Sequence, residues 1–232
     1  MGLIQLTDRI CYLPHDPEVD RPMLAYVRGE KFTLAIDAGY SAGHVGDFYA
    51  ALEEGGLPRP TFTAITHWHY DHTFGMHALE SISIAHRQTN QFLAQQRDLA
   101  KDPAYIRSLK QEDVHFRREY GDQEQVTVVL SDMEFEQELT LDLGGVTARL
   151  FHTAAPHSED TVCVHIPQEG VLFLGDSTSE DFFHDGYMDQ DKLGRLMDMI
   201  RGTDCRFCIL SHCEPLEKEE LLAYLDTIRR QH

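Results

Sequence analysis

The feature that most constrains this chain is a dense group of metal-ligand residue types at 66–72, which reads Thr-His-Trp-His-Tyr-Asp-His after a strand-like segment. Residues two apart in an extended segment point to the same side, so His67 and His69 can bind one ion. The chain then turns toward a predicted helix, so Asp71 and His72 point elsewhere and can hold a second ion. Polar groups are rarely buried without partners, and packing alone does not explain this cluster.

Three further ligand types follow later strand-like segments. His157 comes after an extended stretch, Asp176 follows the apolar residues 171–174 through Gly175, and His212 follows the apolar residues 207–210. Considered alone, each residue has a simpler interpretation: Asp176 could be a helix N-cap, and His157 or His212 could be an ordinary loop residue. The repetition of a ligand type at each strand end predicts that the three converge with the cluster at 66–72.

Strand-like and helical segments divide the chain into two halves, each running from strands into a helix. This order predicts an α+β fold with two sheets flanked by helices, and we treat residues 1–232 as one domain. The polar stretch at about 85–125 predicts a helical insertion of two helices, one of them beginning at Asp102-Pro103. Residues 126–129 are predicted to return to strand.

The charge balance limits the partners. Thirty-nine acidic against twenty basic residues give a formal net charge of −19, which disfavours nucleic acid and anionic membrane surfaces and mildly favours neutral or weakly charged small-molecule substrates. No apolar run is long enough to span a membrane. The N-terminus lacks the features of a signal peptide, and five cysteines do not form an obvious disulfide framework, so we expect a cytoplasmic protein. The sequence does not predict the oligomeric state.

These motifs resemble the metallo-β-lactamase-fold superfamily of metallohydrolases. The segment from His67 to His72 matches its HxHxDH motif, the later ligands follow in the family's order, and Asp37-Ala38-Gly39 resembles its early Asp-x-Gly turn. The resemblance implies a four-layer αββα sandwich with a dinuclear site at one edge. It also implies the ligands: the first metal would be bound by His67, His69 and His157, the second by Asp71, His72 and His212, with Asp176 bridging.

The expected activity is hydrolysis of a small ester, lactone, thioester or phosphoester by a metal-bridging hydroxide. Asp71 and Asp176 are the expected catalytic carboxylates, since Asp71 can orient the hydroxide and pass a proton to the leaving group. The cofactors are expected to be two divalent ions, with Zn²⁺ favoured over Mn²⁺ and Fe²⁺ by the nitrogen and oxygen ligands. The alternatives are an oxidoreductase resembling the mononuclear iron sulfur dioxygenases of the same fold, and a non-catalytic module that keeps its metal for stability.

The segment 180–187 follows Asp176 and should border the pocket. Within it, Tyr187 or His184 could donate a hydrogen bond to a substrate oxyanion, while ordinary loop packing is the competing interpretation.

Overall fold

The structure is a computed structural model that describes residues 2–184 and 186–231. Within these residues one sheet has seven strands, which pair in chain order: β1 (Ile4–Gln5), β2 (Ile10–Leu13), β3 (Leu24–Arg28), β4 (Thr33–Ile36), β5 (Phe62–Ala64), β6 (Ile82–His86) and β7 (Met133–Phe135). The other has six: β8 (Glu138–Asp142), β9 (Thr147–His152), β10 (Val162–Ile166), β11 (Val171–Gly175), β12 (Phe207–Leu210) and β13 (Leu216–Glu217). These six also pair in chain order.

The helices cover the outer faces of the sheets and form the insertion. In the described part of the chain they are α1 (Ala42–Glu54), α2 (Tyr70–Thr73), α3 (Arg87–Leu99), α4 (Pro103–Glu112), α5 (Val114–Tyr120), α6 (Gln190–Gly202) and α7 (Lys218–Gln231). In the same residues, no helix combines the length and the apolar character that crossing a bilayer requires.

Side chains on the central strands point alternately to the two faces of each sheet, and this produces four layers. In β11, Val171 and Phe173 point into the core between the two sheets, whereas Leu172 and Leu174 point outward and pack with α6 and α7. The first sheet repeats the pattern, since Leu34 and its neighbours in β4 alternate between the central core and the cluster beneath α1. Side chains with a period of two therefore give each sheet two apolar faces, and the predicted αββα sandwich is confirmed.

The insertion differs from the prediction in two respects. It contains three helices where two were predicted, because Asp113 ends α4 and also caps α5, its Oδ1 accepting from the backbone N–H groups of His115 and Phe116. The predicted start of a helix at Asp102-Pro103 is confirmed. The predicted strand at 126–129 is wrong: this segment is irregular, and the buried Val128 packs against the insertion helices, while the strand that joins the sheet lies at β7.

The strand directions bring the loops of both sheets to one edge. Strands β4 and β5 are parallel, as are β11 and β12, so residues that follow their carboxyl ends meet there. The backbone joins the two sheets at this edge, where the N–H of Val162 donates to the carbonyl of Thr66 at 2.7 Å. The N–H of Met23 donates to the carbonyl of Ser211, also at 2.7 Å. These bonds fix the spacing of the loops that carry the candidate ligands.

Candidate metal centre

All seven ligand types predicted from the sequence lie at this edge in two compact groups. The first group is His67, His69 and His157, and the second is Asp71, His72, Asp176 and His212. Within each group the potential ligand atoms lie within 4.8 Å of one another. Residues far apart in the chain thus converge because each follows a strand that ends at the same edge.

Asp176 lies between the two groups. Its Oδ2 atom is 3.3 Å from Nε2 of His72, 3.3 Å from Nε2 of His212 and 3.8 Å from Nε2 of His157. One carboxylate oxygen therefore faces ring nitrogens of both groups, as a bridging ligand would.

Hydrogen bonds from Nδ1 orient the rings of His67 and His157. Nδ1 of His67 lies 3.0 Å from the Thr66 hydroxyl, whose own proton is donated to Asp37, and Nδ1 of His157 lies 2.7 Å from the carbonyl of Glu180. Both rings therefore carry the proton on Nδ1 and present the Nε2 lone pair to the centre. Such outer partners fix the tautomer of a metal-binding histidine.

Carboxylates orient the two histidines of the second group in the same way. Nδ1 of His72 lies 2.8 Å from Oδ2 of Asp37, and Nδ1 of His212 lies 3.1 Å from Oδ1 of Asp20. The exception among the five histidines is His69, whose Nδ1 faces inward, 3.0 Å from Nε2 of His157.

The donor set fits divalent cations. Nε2 of His67 and Nε2 of His72 are buried and have no hydrogen-bond partner. Carboxylate oxygens of Asp71 and Asp176 lie 3.2 and 3.3 Å from Nε2 of His72. A buried lone pair without a partner, as on Nε2 of the neutral His67, is costly, and a cation would satisfy it. Imidazole nitrogens and carboxylate oxygens are ligands of zinc and related ions.

The charges of the second group stabilise one another when no cation is bound. Burial alone would lower the pKa of His72 and His212 and raise that of Asp71 and Asp176. The opposite charges outweigh burial, so the pKa of each histidine is raised well above its ordinary value and that of each aspartate is held well below. The anionic carboxylates thus retain protons on the histidines that a bound cation would displace.

Two histidines of the first group, His67 and His69, behave in the opposite way. Burial lowers the pKa of His67 well below its ordinary value and that of His69 to about 3, and the neighbouring histidines add to the effect. These imidazoles are therefore neutral near pH 7, the state that binds metal.

Asp37 holds the cluster segment in place. It accepts from the Thr66 N–H at 2.7 Å, from the Thr66 hydroxyl at 2.9 Å and from Nδ1 of His72. Its backbone adopts φ 63°, a left-handed conformation that Asp tolerates better than most residues. The Asp-x-Gly turn thus holds Thr66 and His72 in position through the hydrogen bonds of Asp37.

A cleft of about 660 Å³ opens onto the two groups. One wall comes from the insertion and includes Leu109, Glu112 and Val114, and the other includes Phe182 and Phe183 from the loop after Asp176. Neither Tyr187 nor His184 lines this cleft: both are exposed, and Nδ1 of His184 lies 2.7 Å from Asp181. The two phenylalanines before them face the cleft instead, because the bridge between Asp181 and Tyr187 turns the later residues outward.

Sequence reasoning missed Asp20, which lies on the loop between β2 and β3. It lines the cleft, and its Oδ1 accepts from His212 and lies 3.1 Å from Nε2 of His15. No local pattern marks it, because its partner His212 follows a strand of the other sheet.

The profile of the metallo-beta-lactamase superfamily matches residues 24–189, which include the HxHxDH segment, His157 and Asp176. The chain therefore belongs to the metallo-beta-lactamase superfamily, whose members are generally hydrolytic enzymes. No curated protein matches the chain in sequence.

Solved structures share the fold at low sequence identity. A metallo-beta-lactamase from Pontibacter korlensis is 16% identical to this chain and superposes with a TM-score of 0.69. The match covers 100% of this chain and 99% of the Pontibacter chain. A metallo-beta-lactamase from Hirschia baltica is 17% identical with a TM-score of 0.63 over 97% of this chain and 96% of its own. The sec-alkylsulfatase Pisa1 from Pseudomonas sp. is 13% identical with a TM-score of 0.71, over 98% of this chain and 41% of its own. Similarity at this level establishes the fold but does not identify the substrate.

Proposed function

We propose that the protein is a dinuclear metal-dependent hydrolase of a small-molecule substrate. The observation that carries the proposal is the position of Asp176 Oδ2, within 3.8 Å of ring nitrogens from both groups. A carboxylate shared in this way suits two cations side by side, whereas a single cation at the three-histidine group would leave the second group unused.

The first ion would be held by His67, His69 and His157, and the second by Asp71, His72 and His212, with Asp176 shared. We favour Zn²⁺ because five of the seven ligands are imidazoles. When bound, the two ions would supply Lewis acidity toward water and toward the carbonyl or phosphoryl oxygen of a substrate.

The protein's own groups position the reactants. Asp71 faces the cleft, and the charges of His72 and His212 keep its pKa low against the effect of burial, so it stays ionised. Its carboxylate can accept a hydrogen bond from water that enters the centre and so orient that water toward the substrate. Hydrogen bonds to Asp37, to the carbonyl of Glu180 and to Asp20 orient the rings of His72, His157 and His212, respectively. These bonds keep the ligand rings in place during the reaction.

We also propose that the protein acts in the cytoplasm on a freely diffusing substrate, without nucleic acid or membrane as a partner. Five free cysteines, of which Cys11, Cys163 and Cys208 are buried, suit a reducing compartment. The strongly negative charge would repel phosphate backbones and anionic lipids.

Metal analysis of the purified protein tests the first part of the proposal. We expect two divalent ions per chain, with His67→Ala weakening the first site and Asp176→Ala weakening both. His77→Ala is the matched control, because His77 belongs to neither group and is expected to leave the metal content unchanged. Full retention of metal by both His67→Ala and Asp176→Ala would overturn the assignment of the ligands.

Turnover tests the second part. We expect hydrolysis within a panel of esters, lactones, thioesters and phosphodiesters, loss of turnover after chelation, and recovery when Zn²⁺ is restored. One iron per chain with consumption of oxygen would overturn hydrolysis in favour of the redox alternative. Full metal occupancy without turnover on the whole panel would favour a non-catalytic module.

A further inference from the structure

The walls of the cleft differ in character from its floor. The floor carries the metal-ligand groups, while the insertion wall places the carboxylates of Glu112 and Asp113 beside the apolar Leu109 and Val114. No described residue that lines the cleft is a lysine or an arginine. Asp20 adds a further carboxylate at the rim.

The opposite wall is apolar and exposed. Phe182 is 67% exposed and Phe183 is 52% exposed, and Val114, on the facing wall, is 40% exposed. The ring of Phe182 lies edge-on to His157 with centroids 5.6 Å apart, and the ring of Phe183 lies 4.8 Å from that of His69. Exposed aromatic rings beside a polar centre provide a surface that a bound apolar group can cover.

Given the proposed hydrolase function, on which this inference rests, we infer that the substrate is an ester, lactone or thioester whose remote part is an uncharged, apolar chain. The chain would lie between Phe182 and Phe183 on one side and Leu109 and Val114 on the other. An anionic remote group would face Glu112 and Asp113, with no lysine or arginine among the described lining residues to pair with.

The two ends of the substrate experience different fields. Cations on the floor would act on the reacting end, whatever its charge. The wall carboxylates act on the remote end, where a like charge in a cleft with apolar walls is unfavourable. Asp113 is already engaged by the hydroxyls of Tyr70 and Tyr40 and by the first turn of α5, which fixes its charge in place. Selection therefore concerns the charge of the remote end.

The protein contains a built-in reporter of binding. Trp68 is the single tryptophan of the sequence, and its ring lies 4.8 Å from Phe183 and 4.7 Å from His69. A chain that packs against Phe183 is therefore expected to change the tryptophan fluorescence, whether or not the ligand is hydrolysed.

A matched pair of substrates tests the inference. The metal-loaded protein is assayed with p-nitrophenyl octanoate and with p-nitrophenyl hydrogen suberate, which differ in the group at the far end of the chain. We expect kcat/KM to be about tenfold or more higher for the octanoate at low ionic strength, and the ratio to fall as salt screens the wall carboxylates. Equal or faster turnover of the suberate would overturn the inference.

Binding separates a failure of this inference from a failure of the proposed function. Octanamide and the monoamide of suberic acid are titrated into the same protein while the tryptophan fluorescence is followed. Tighter binding of octanamide supports the inference even if no ester is hydrolysed, an outcome that would count against the hydrolase function. Equal binding, or tighter binding of the suberic monoamide, overturns it.

Two substitutions locate the effect in the cleft. Glu112→Lys, on an exposed side chain of the insertion wall, is expected to lower the ratio of kcat/KM for the octanoate to kcat/KM for the suberate several-fold. Glu53→Lys makes the same change of charge on α1, outside the cleft, and is expected to leave the ratio of the two unaltered. The same response to both variants would show that net charge, and not the wall, controls selection, and would overturn the inference.

Phe182→Ala tests the apolar wall. We expect it to reduce the preference for p-nitrophenyl octanoate over p-nitrophenyl acetate several-fold with the metal content unchanged. Phe32→Ala, which removes an exposed phenylalanine from the hairpin between β3 and β4, is expected to retain that preference. An undiminished preference in Phe182→Ala would place the chain elsewhere and overturn the proposed binding mode.

Discussion

Nδ1 of His212 lies 3.1 Å from Oδ1 of Asp20, although the two residues are 192 positions apart in the chain. The same carboxylate oxygen lies 3.1 Å from Nε2 of His15. Hydrogen bonds from His15 and His212 hold the pKa of Asp20 below its usual range, against a smaller opposing effect of burial. Asp20 thus joins the loop between β2 and β3 to the last ligand of the second group.

Asp20→Asn is expected to weaken metal binding at the second group. The amide is a weaker acceptor for the His212 ring, and loss of such an outer partner typically reduces affinity about 10- to 100-fold. Competition with a chromophoric chelator measures the change. Asp16→Asn, on the same loop but in neither group of candidate ligands, is the matched control. Equal affinity in Asp20→Asn and wild type would contradict an orienting role for Asp20.

Asp37→Ala is expected to lower the free energy of unfolding of the metal-free protein by about 3–5 kcal/mol, because it leaves a charged His72 and the Thr66 donors buried without their acceptor. Denaturation in urea measures the loss. Asp37→Asn should cost less, since asparagine tolerates the left-handed backbone and keeps one acceptor oxygen. Similar losses in the two variants would indicate that the anionic charge, and not the geometry of the turn, is what this position requires.

Gly175→Ala is expected to be more destabilising than an ordinary replacement of a left-handed glycine. Gly175 has φ 56°, and a Cβ atom there would lie 2.9 Å from Cβ and Oγ1 of Thr66, where the two sheets meet. Gly56→Ala is the control, because Gly56 has φ 67° with open space around it and should cost about 1–2 kcal/mol from the backbone alone. Thermal unfolding should show that Gly175→Ala lowers the free energy of unfolding by about 1–3 kcal/mol more than Gly56→Ala does. Equal losses of stability in the two variants would mean that the structure relieves the contact with Thr66 at no energetic cost.

His44 predicts a specific dependence of stability on pH. Burial, reinforced by the charges of Arg21 and His72, lowers its pKa to about 3, and its Nδ1 accepts from the N–H of Tyr40. The unfolded chain binds a proton at about pH 6.5 and the folded chain does not, so acid favours unfolding between pH 6.5 and about 3. His44→Gln should remove about 2 kcal/mol of the stability lost between pH 7 and 5, as measured by urea denaturation at each pH. An unchanged loss in His44→Gln would contradict a neutral imidazole in the folded protein.

The sequence predicted the parts of the centre that depend on local order. His67, His69, Asp71 and His72 fall within six residues, so a strand that turns into a short helix forces them into proximity wherever the strand lies. Asp176 and His212 could be predicted because apolar strands end immediately before them. Asp20 could not, because its role depends on how the loop between β2 and β3 meets the second sheet.

The loop after Asp176 shows the same limit. The polar residues His184 and Tyr187 were the expected contacts, but a turn at Asp181 directs them to solvent and leaves Phe182 and Phe183 against the cleft. In the insertion, Asp113 ends one helix and begins the next, and a pattern of apolar residues alone does not reveal such a double cap. Turn geometry and shared caps arise from backbone conformation, which apolar periodicity records poorly.

The division of the ligands between two sheets has a consequence for biosynthesis. A nascent chain that has emerged from the ribosome only as far as β7 offers His67, His69, Asp71 and His72 but lacks His157, Asp176 and His212. In the proposed centre, a cation captured at that stage would be held by only part of its ligand set. Assembly of the proposed centre would therefore have to wait until both halves have closed on each other, and the cellular metal supply at that moment would influence which ions the finished protein carries.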